Sequence, residues 1–240
     1  NIPIPDGDVT AELVWQDEQG VIADEGVTVV NASERERAYL QVRTAKEGNA
    51  VVAMKVNGEI YWSWHIWCTD YEPNVTEGQK FFNNLVWMDR NLGAMTNEYT
   101  IDGGVKGLFY QWGRKDPFPA SEGWTDQEKM LYTLTGTTNL SYKEVDTSEN
   151  LVEAIRQPAR FLIAITSPGD WYTNSMSLLN RTLWLPNTKT IFDPCPVGWR
   201  VPGNQPWTGL LQGGLFYSYG LVHPDAGYFP CTGYRRTQTG

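Results

Sequence analysis

Two histidines and three cysteines are the whole supply of imidazole and thiol in 240 residues. Three thiols cannot all pair within one chain, and no Cys-x-x-Cys or Cys/His cluster occurs, so the spacing of a zinc site is missing. Gly-x-Ser-x-Gly, His-Glu-x-x-His and glycine-rich phosphate loops are absent too, and with them the usual sequence marks of nucleophilic, metallopeptidase and nucleotide chemistry. Glycoside hydrolysis stays open among 28 acidic residues, because carboxylate separation defines that site and sequence does not give it. No apolar run has the length of a transmembrane segment. Basic residues are outnumbered, 19 against 28, for a formal net charge of -9. Such a field opposes phosphate backbones and anionic lipid, which excludes nucleic acid as an expected partner. The chain begins at Asn1 without a basic and apolar leader, which reads as a mature or trimmed product. No cofactor is expected.

Rings and turn formers are plentiful instead. Eleven Trp, twelve Tyr, eight Phe, 23 Gly and 14 Pro favour many short strands over long helices. Residues 11–15, 27–30 and 37–43 read as strands. In NAVVAMKVNGEIYWSWHIW, residues 49–67, Asn57-Gly58 predicts a type I′ hairpin. Its register opposes Val56 to Glu59, Ala53 to Trp62 and Val51 to Trp64, with Trp62, Trp64 and Ile66 on one face and Tyr61, Ser63 and His65 on the other. Residues 1–67 therefore read as a small antiparallel β-sandwich of immunoglobulin-like architecture. His65 fits an ordinary strand residue better than a ligand, since no second histidine is near.

After residue 67 a polar connection leads into a loop-rich region. A capping box, Thr125-x-x-Glu128, predicts a short helix over EKMLYTL, and a second helix is expected over 148–157, burying Leu151, Val152 and Ile155 before Pro158 ends it. Strands are expected at 161–165, 182–185, 215–219 and 227–230. Residues 68–240 read as one α+β domain, which makes the whole chain mainly β / α+β. Within it, TIFDPCPVGWRVP at 190–202 is a rigid non-helical crossing, because each proline fixes its own φ and biases the residue before it. It is either a structural corner or the frame of a binding site.

Four stretches taken together, VWMDRNLGA at 86–94, GLFYQWGRKDPFP at 107–119, DPCPVGWRVP at 193–202 and GYFPCTGYR at 227–235, resemble the successive signatures of the Fibrobacter succinogenes major paralogous domain. The preceding strand pair is similar to the one that leads into this domain in Bacteroidetes surface proteins. The resemblance implies a C-type-lectin-like fold for 68–240 and a secreted or cell-surface protein, lipid-anchored at the outer membrane in its full-length form. It also implies that Cys195 and Trp199 belong to a structural corner. The family pattern continues beyond the GYR stretch, so a C-terminal cut, or a strand supplied by a neighbouring chain, is expected. Where relatives continue past WRVP differently, this chain has GNQPWTGLLQGG, with Asn204 as N-cap. Cys68 and Cys231 stand where relatives carry small or β-branched residues, which makes them a candidate disulfide; pairings with Cys195 stay open.

Recognition through aromatic side chains is the chemistry this composition best supplies. DWYTN at 170–174, QPWTG at 205–209 and LFYSYG at 215–220 set Trp171, Tyr172, Trp207, Tyr217 and Tyr219 among Gly, Asn, Asp and Ser, the neighbourhood of loops that carry binding. These five are the candidate ligand-binding residues, rings for the C–H face of a sugar with polar groups at the rim. A weaker alternative is calcium held by Glu72, Asn74 and Asp89, whose EPN and WMD contexts resemble the calcium loops of sugar-binding C-type lectins; calcium needs six or more converging oxygens. The leading expectation is a non-enzymatic surface adhesion module for an extracellular glycan or protein ligand. The alternatives are a structural subunit of a fimbrial or outer-membrane assembly, for which exposed strands of the sandwich would suit strand exchange, and a glycan hydrolase.

Overall fold

A computed structural model describes residues 4–32, 37–146, 148–164 and 170–235. The fold is mainly β, with multiple antiparallel sheets and, among the described residues, two very short α-helices. No helix among the described residues is long and apolar enough to cross a membrane. Five strands open the chain: β1 (Val9–Gln16), β2 (Ile22–Ala32), β3 (Arg37–Thr44), β4 (Gly48–Val56) and β5 (Glu59–Cys68). They take in all three strand runs expected near the N-terminus. Asn57 and Gly58, at φ 52° and 83°, make the expected two-residue turn between β4 and β5, both with the positive φ a type I′ turn requires.

Register follows the turn for only two pairs. Val56 opposes Glu59 and Lys55 opposes Ile60, but Met54 then opposes Trp62, so Tyr61 is the extra residue of a bulge. Ala53 therefore faces Ser63, and Val51 faces His65, in place of the expected tryptophans. A dipeptide fixes a turn locally; a bulge resets every pair beyond it. Between β1 and β4 a second bulge skips Val14, pairing Leu13 with Val52 and Trp15 with Val51. Strict alternation would have placed Leu13 and Trp15 on one face. The bulge sends them to opposite cores.

Those cores lie on either side of the β1–β4–β5 sheet. On one face the β2–β3 hairpin closes over Leu13, Val21, Ile22, Ala50 and Val52, with Leu40, Val42 and Ile66 packed against them. On the other, Trp15 and Val51 join Phe118, Leu131, Leu140, Phe161 and Ile163. The sheet itself is extended past β1 by the short strands Leu131–Tyr132 and Thr137–Thr138. Packing and hydrogen bonding thus cross residue 67, the expected domain boundary.

GRKDP at 113–117, in the second family-like motif, explains how the two regions are tied. Arg114 is fully buried and donates to Gln111 Oε1 (2.7 Å) and to the carbonyls of Arg160 (2.9 Å) and Gln157 (2.7 Å). Lys115 Nζ donates to the Ser63 carbonyl at 3.0 Å and to Asp116 Oδ1 at 2.7 Å, and Ser63 Oγ donates to the same oxygen at 2.6 Å. Burial lowers the pKa of both cations while Asp116 opposes that shift. A buried cation is tolerated because it is paired and hydrogen-bonded.

The elements beyond Cys68 are short. The stretch expected to form a capped helix after Thr125 forms none; Thr125 Oγ1 donates to the Glu122 carbonyl at 2.6 Å in a turn, and Leu131–Tyr132 is extended. The next helix, α1 (Leu151–Ile155), is capped by Asn150, which accepts from the amides of Val152 and Glu153. It buries Ala154, while Val152 is 60% exposed, against the expected apolar face. Arg160–Ile163 pairs in parallel with Ser141–Glu144 and sends Phe161 and Ile163 into one core and Leu162 into another. Residue 165 of the strand expected there lies outside the described residues. No strand forms at 182–185. A three-stranded sheet of Leu215–Tyr217, Gly220–His223 and Gly227–Pro230 closes the described chain.

Candidate functional site

A cleft of about 920 Å³ opens where three of the four family-like motifs meet. Strand Leu85–Met88 and residues 89–92 form one wall; the 195–207 corner and the strand Gly227–Pro230 form the others. Trp87, Trp199, Trp207, Tyr228 and Phe229 contribute rings, and Asn74, Asn187, Asn204, Gln205 and Arg200 contribute polar groups.

Each ring is positioned by an identifiable contact. The hairpin Gln79–Phe82/Leu85–Met88 turns at Asn83 and Asn84, at φ 51° and 58°; asparagine is among the few side chains that tolerate this region. From the turn, Asn83 Nδ2 donates to the carbonyls of Pro206 (2.8 Å) and Thr208 (2.6 Å), gripping the 3₁₀ turn Gln205–Trp207. Asn204 precedes that turn in helical conformation and makes no side-chain cap, contrary to its expected N-cap role. Trp207 lies edge-on to Trp87 at 4.7 Å and to Phe229 at 6.3 Å, with 43% of its surface exposed. Trp87 is fixed by its indole N–H, which donates to the Phe82 carbonyl at 2.9 Å.

Opposite, Gly198 at φ 89° lets the chain turn into Trp199, whose Nε1 donates to Asn74 Oδ1 at 3.0 Å. Asp193 holds this corner together. Its buried carboxylate accepts from the amides of Cys195 and Val201, both at 2.9 Å, and from Lys189 Nζ at 2.9 Å. Lys189 Nζ also donates to the Cys195 carbonyl at 2.6 Å. Burial first, and then Asp193, push the Cys195 thiol up to about 12, so it stays protonated and is a weak nucleophile. DPCPVGWRVP is therefore both a structural corner and the frame of a cleft.

The sequence-predicted site residues fall in three places. Trp207 lines the cleft. Trp171 and Tyr172, expected on a loop-borne binding face, are core residues at 7% and 1% exposure, packed with Val145, Ala154, Leu162 and Leu183. The Arg114 guanidinium sits 4.9 Å above the Trp171 ring, and the Tyr172 hydroxyl donates to the Leu178 carbonyl. Tyr217 and Tyr219 are exposed but outside the cleft lining; Tyr219 stacks on Trp124 at 5.0 Å and on Tyr99 at 6.1 Å. The five residues do not form one platform.

Nor do the calcium candidates converge. Glu72 is exposed and outside the cleft lining, Asn74 is bonded to Trp199, and Asp89 is closed onto Arg90 Nε (2.7 Å) and Asn97 Nδ2 (2.6 Å). Among the described residues no three His, Cys, Asp or Glu side chains are grouped to hold a metal ion. Cys68, Cys195 and Cys231 are free thiols, in place of the expected Cys68–Cys231 disulfide. Both histidines are engaged in the fold. His65 meets Asn49 Oδ1 at 3.0 Å and the Tyr110 hydroxyl at 3.4 Å, and His223 Nδ1 accepts the amides of Asp225 (3.1 Å) and Ala226 (3.2 Å).

Trp87, Trp199 and Arg200 were absent from the sequence-level candidates. Their signal lay in the quoted motifs: Trp199 and Arg200 in the corner the resemblance assigned to structure, and Trp87 in the WMD stretch weighed only as a calcium context. Comparison with protein-family models, curated proteins and solved structures gives no match for the chain. The family resemblance is carried by the quoted motifs alone.

Proposed function

We propose that this chain is a non-enzymatic binding module of a bacterial cell surface, with a C-type-lectin-like second region, and that it recognises a glycan in the tryptophan-lined cleft. The observation that carries the reading is the convergence of Trp87, Trp199 and Trp207 around about 920 Å³ of open space. Flat rings offer dispersion contact to the C–H faces of a sugar, while amides at the rim match its hydroxyls. The bacterial surface setting is taken from the motif resemblance. Binding needs no metal in this account. A glycan array probed with the intact chain, with and without EDTA, tests it: saccharide binding that survives chelation is expected. An array without hits would overturn the reading, and EDTA-sensitive binding would restore Glu72, Asn74 and Asp89 as ligand candidates.

One observation favours the second reading, an assembly subunit. Leu215–Tyr217 is one of the two outer strands of its sheet, and its three side chains are 72 to 78% exposed with no charge among them. Unprotected edges of this kind pair with further strands. Sedimentation that becomes concentration-dependent, and is returned to monomer by Phe216→Lys, is the expected behaviour on that reading; a monomer at all concentrations would contradict it.

A further inference from the structure

The charges of the cleft wall are unlike those of the chain as a whole. Among the described residues only three charged ones line it, Asp89, Arg90 and Arg200, and the first two neutralise one another. Arg90 Nε and Nη2 bond to the two Asp89 oxygens at 2.7 and 3.4 Å, Asn97 occupies the carboxylate further at 2.6 Å, and Arg90 Nη1 is spent on the Met95 carbonyl at 3.1 Å. Arg200 is left. Its Nε donates to the Pro186 carbonyl at 2.5 Å, and its two terminal nitrogens meet no acceptor among the described residues. In a protein of net charge -9, the large ring-lined cleft therefore presents, among the described residues, one unpaired cation and no unpaired carboxylate.

We propose that the cleft selects saccharides that carry a carboxylate, and that Arg200 reads it. The proposal rests on the cleft being the glycan site and names the class of glycan. A guanidinium held at Nε offers its outer edge as a two-pronged donor, the geometry that matches a carboxylate. Arg200 is also held in place along the chain: Trp199 before it is bonded to Asn74, and the amide of Val201 after it is bonded to buried Asp193. A preset donor loses less freedom on binding than a floppy one. Around it, Asn187, Asn204 and Gln205 line the same cleft, and their side-chain amides make no hydrogen bond among the described residues. One cation among uncommitted amides and rings suits a single acidic group surrounded by hydroxyls. A polyphosphate, which calls for several cations, is a poor match.

Matched saccharide pairs that differ only in free charge test this: oligogalacturonate against its methyl ester, and sialyllactose against lactose, titrated by calorimetry. At least one acidic member should bind on the order of tenfold or more tightly than its neutral partner, as a charge-assisted hydrogen bond supplies. The difference should shrink as salt is raised. Arg200→Ala, at an exposed position, should abolish the preference without lowering the melting temperature, and Arg200→Lys should keep only part of it because the fork is gone. Equal binding within both pairs, or a preference for the neutral members, would overturn the proposal while leaving the glycan reading intact. Preference that survives Arg200→Ala would also overturn it. Binding to sulfated saccharides alone would replace carboxylate by sulfate as the recognised group, and no saccharide binding at all would remove both this proposal and the reading beneath it.

Discussion

Trp171 shows why single residues were hard to place from their neighbours. It is flanked by Asp170, Tyr172, Thr173 and Asn174, a polar setting that reads as a loop at the surface. The polar groups face inward instead: Asp170 Oδ1 accepts the Trp171 amide at 2.9 Å, and Asn174 Nδ2 donates to the Val145 carbonyl at 2.5 Å. Residues of loop type can therefore build a buried crossing once their hydrogen bonds are satisfied internally. Trp171→Ala is expected to destabilise the fold by about 3–5 kcal/mol, through lost burial and the cavity left under Arg114; thermal or urea unfolding reads this out. A variant as stable as the parent would return Trp171 to the surface.

His65 yields a pH prediction at the same scale. Although part of the residue keeps some surface exposure, its ring nitrogens are turned onto Asn49 and Tyr110. Burial is the main cause that lowers its pKa from 6.5 to about 4, with Asp116 opposing. The folded form therefore holds His65 neutral while the unfolded chain takes up a proton below pH 6.5. Stability contributed by this group is fully present above pH 6.5 and is lost as pH falls toward 4, at up to about 1.4 kcal/mol per pH unit. Denaturant midpoints between pH 7 and 5 should fall in the parent and fall less in His65→Gln. Equal slopes in the two proteins would show that His65 does not titrate as described.

At the scale of elements, legibility followed how local the determinant was. The Asn57-Gly58 turn was legible because two residues suffice to specify it. Strands at 11–15, 27–30, 37–43 and 227–230 were legible from composition and period. The bulges at Val14 and Tyr61 were not, since each is a compromise between strand pairing and the two cores the sheet must serve. The helix expected after Thr125 failed because Leu131 is taken into the core beside Trp15 while the next residue, Tyr132, pairs in extended conformation with Gln16 of β1, and tertiary packing overrides a capping signal. Gly58→Val should strain the turn and cost on the order of 1 kcal/mol or more. Nothing lies within 4 Å of a Cβ added there, so the penalty is backbone strain free of steric clash. Unchanged thermal stability would contradict the positive φ of Gly58.

Across the whole molecule, separate stretches acquire meaning only when the chain brings them together. Trp207 was legible as a binding candidate, but its partners come from about 120 residues earlier, through the Asn83 grip at a sequence separation of 123 to Pro206, and no local pattern reports such a contact. Tyr217 carried the same local signature and stands outside the cleft. This contrast supplies the most direct measurement: affinity and melting temperature of Trp207→Ala and Tyr217→Ala, each against the parent, for the tightest saccharide on the array. Trp207→Ala should weaken binding by on the order of tenfold, as a stacking hot spot does, Tyr217→Ala should bind as the parent does, and both should melt with the parent. Parent-like binding by Trp207→Ala, with loss in Tyr217→Ala, would contradict the cleft as the site.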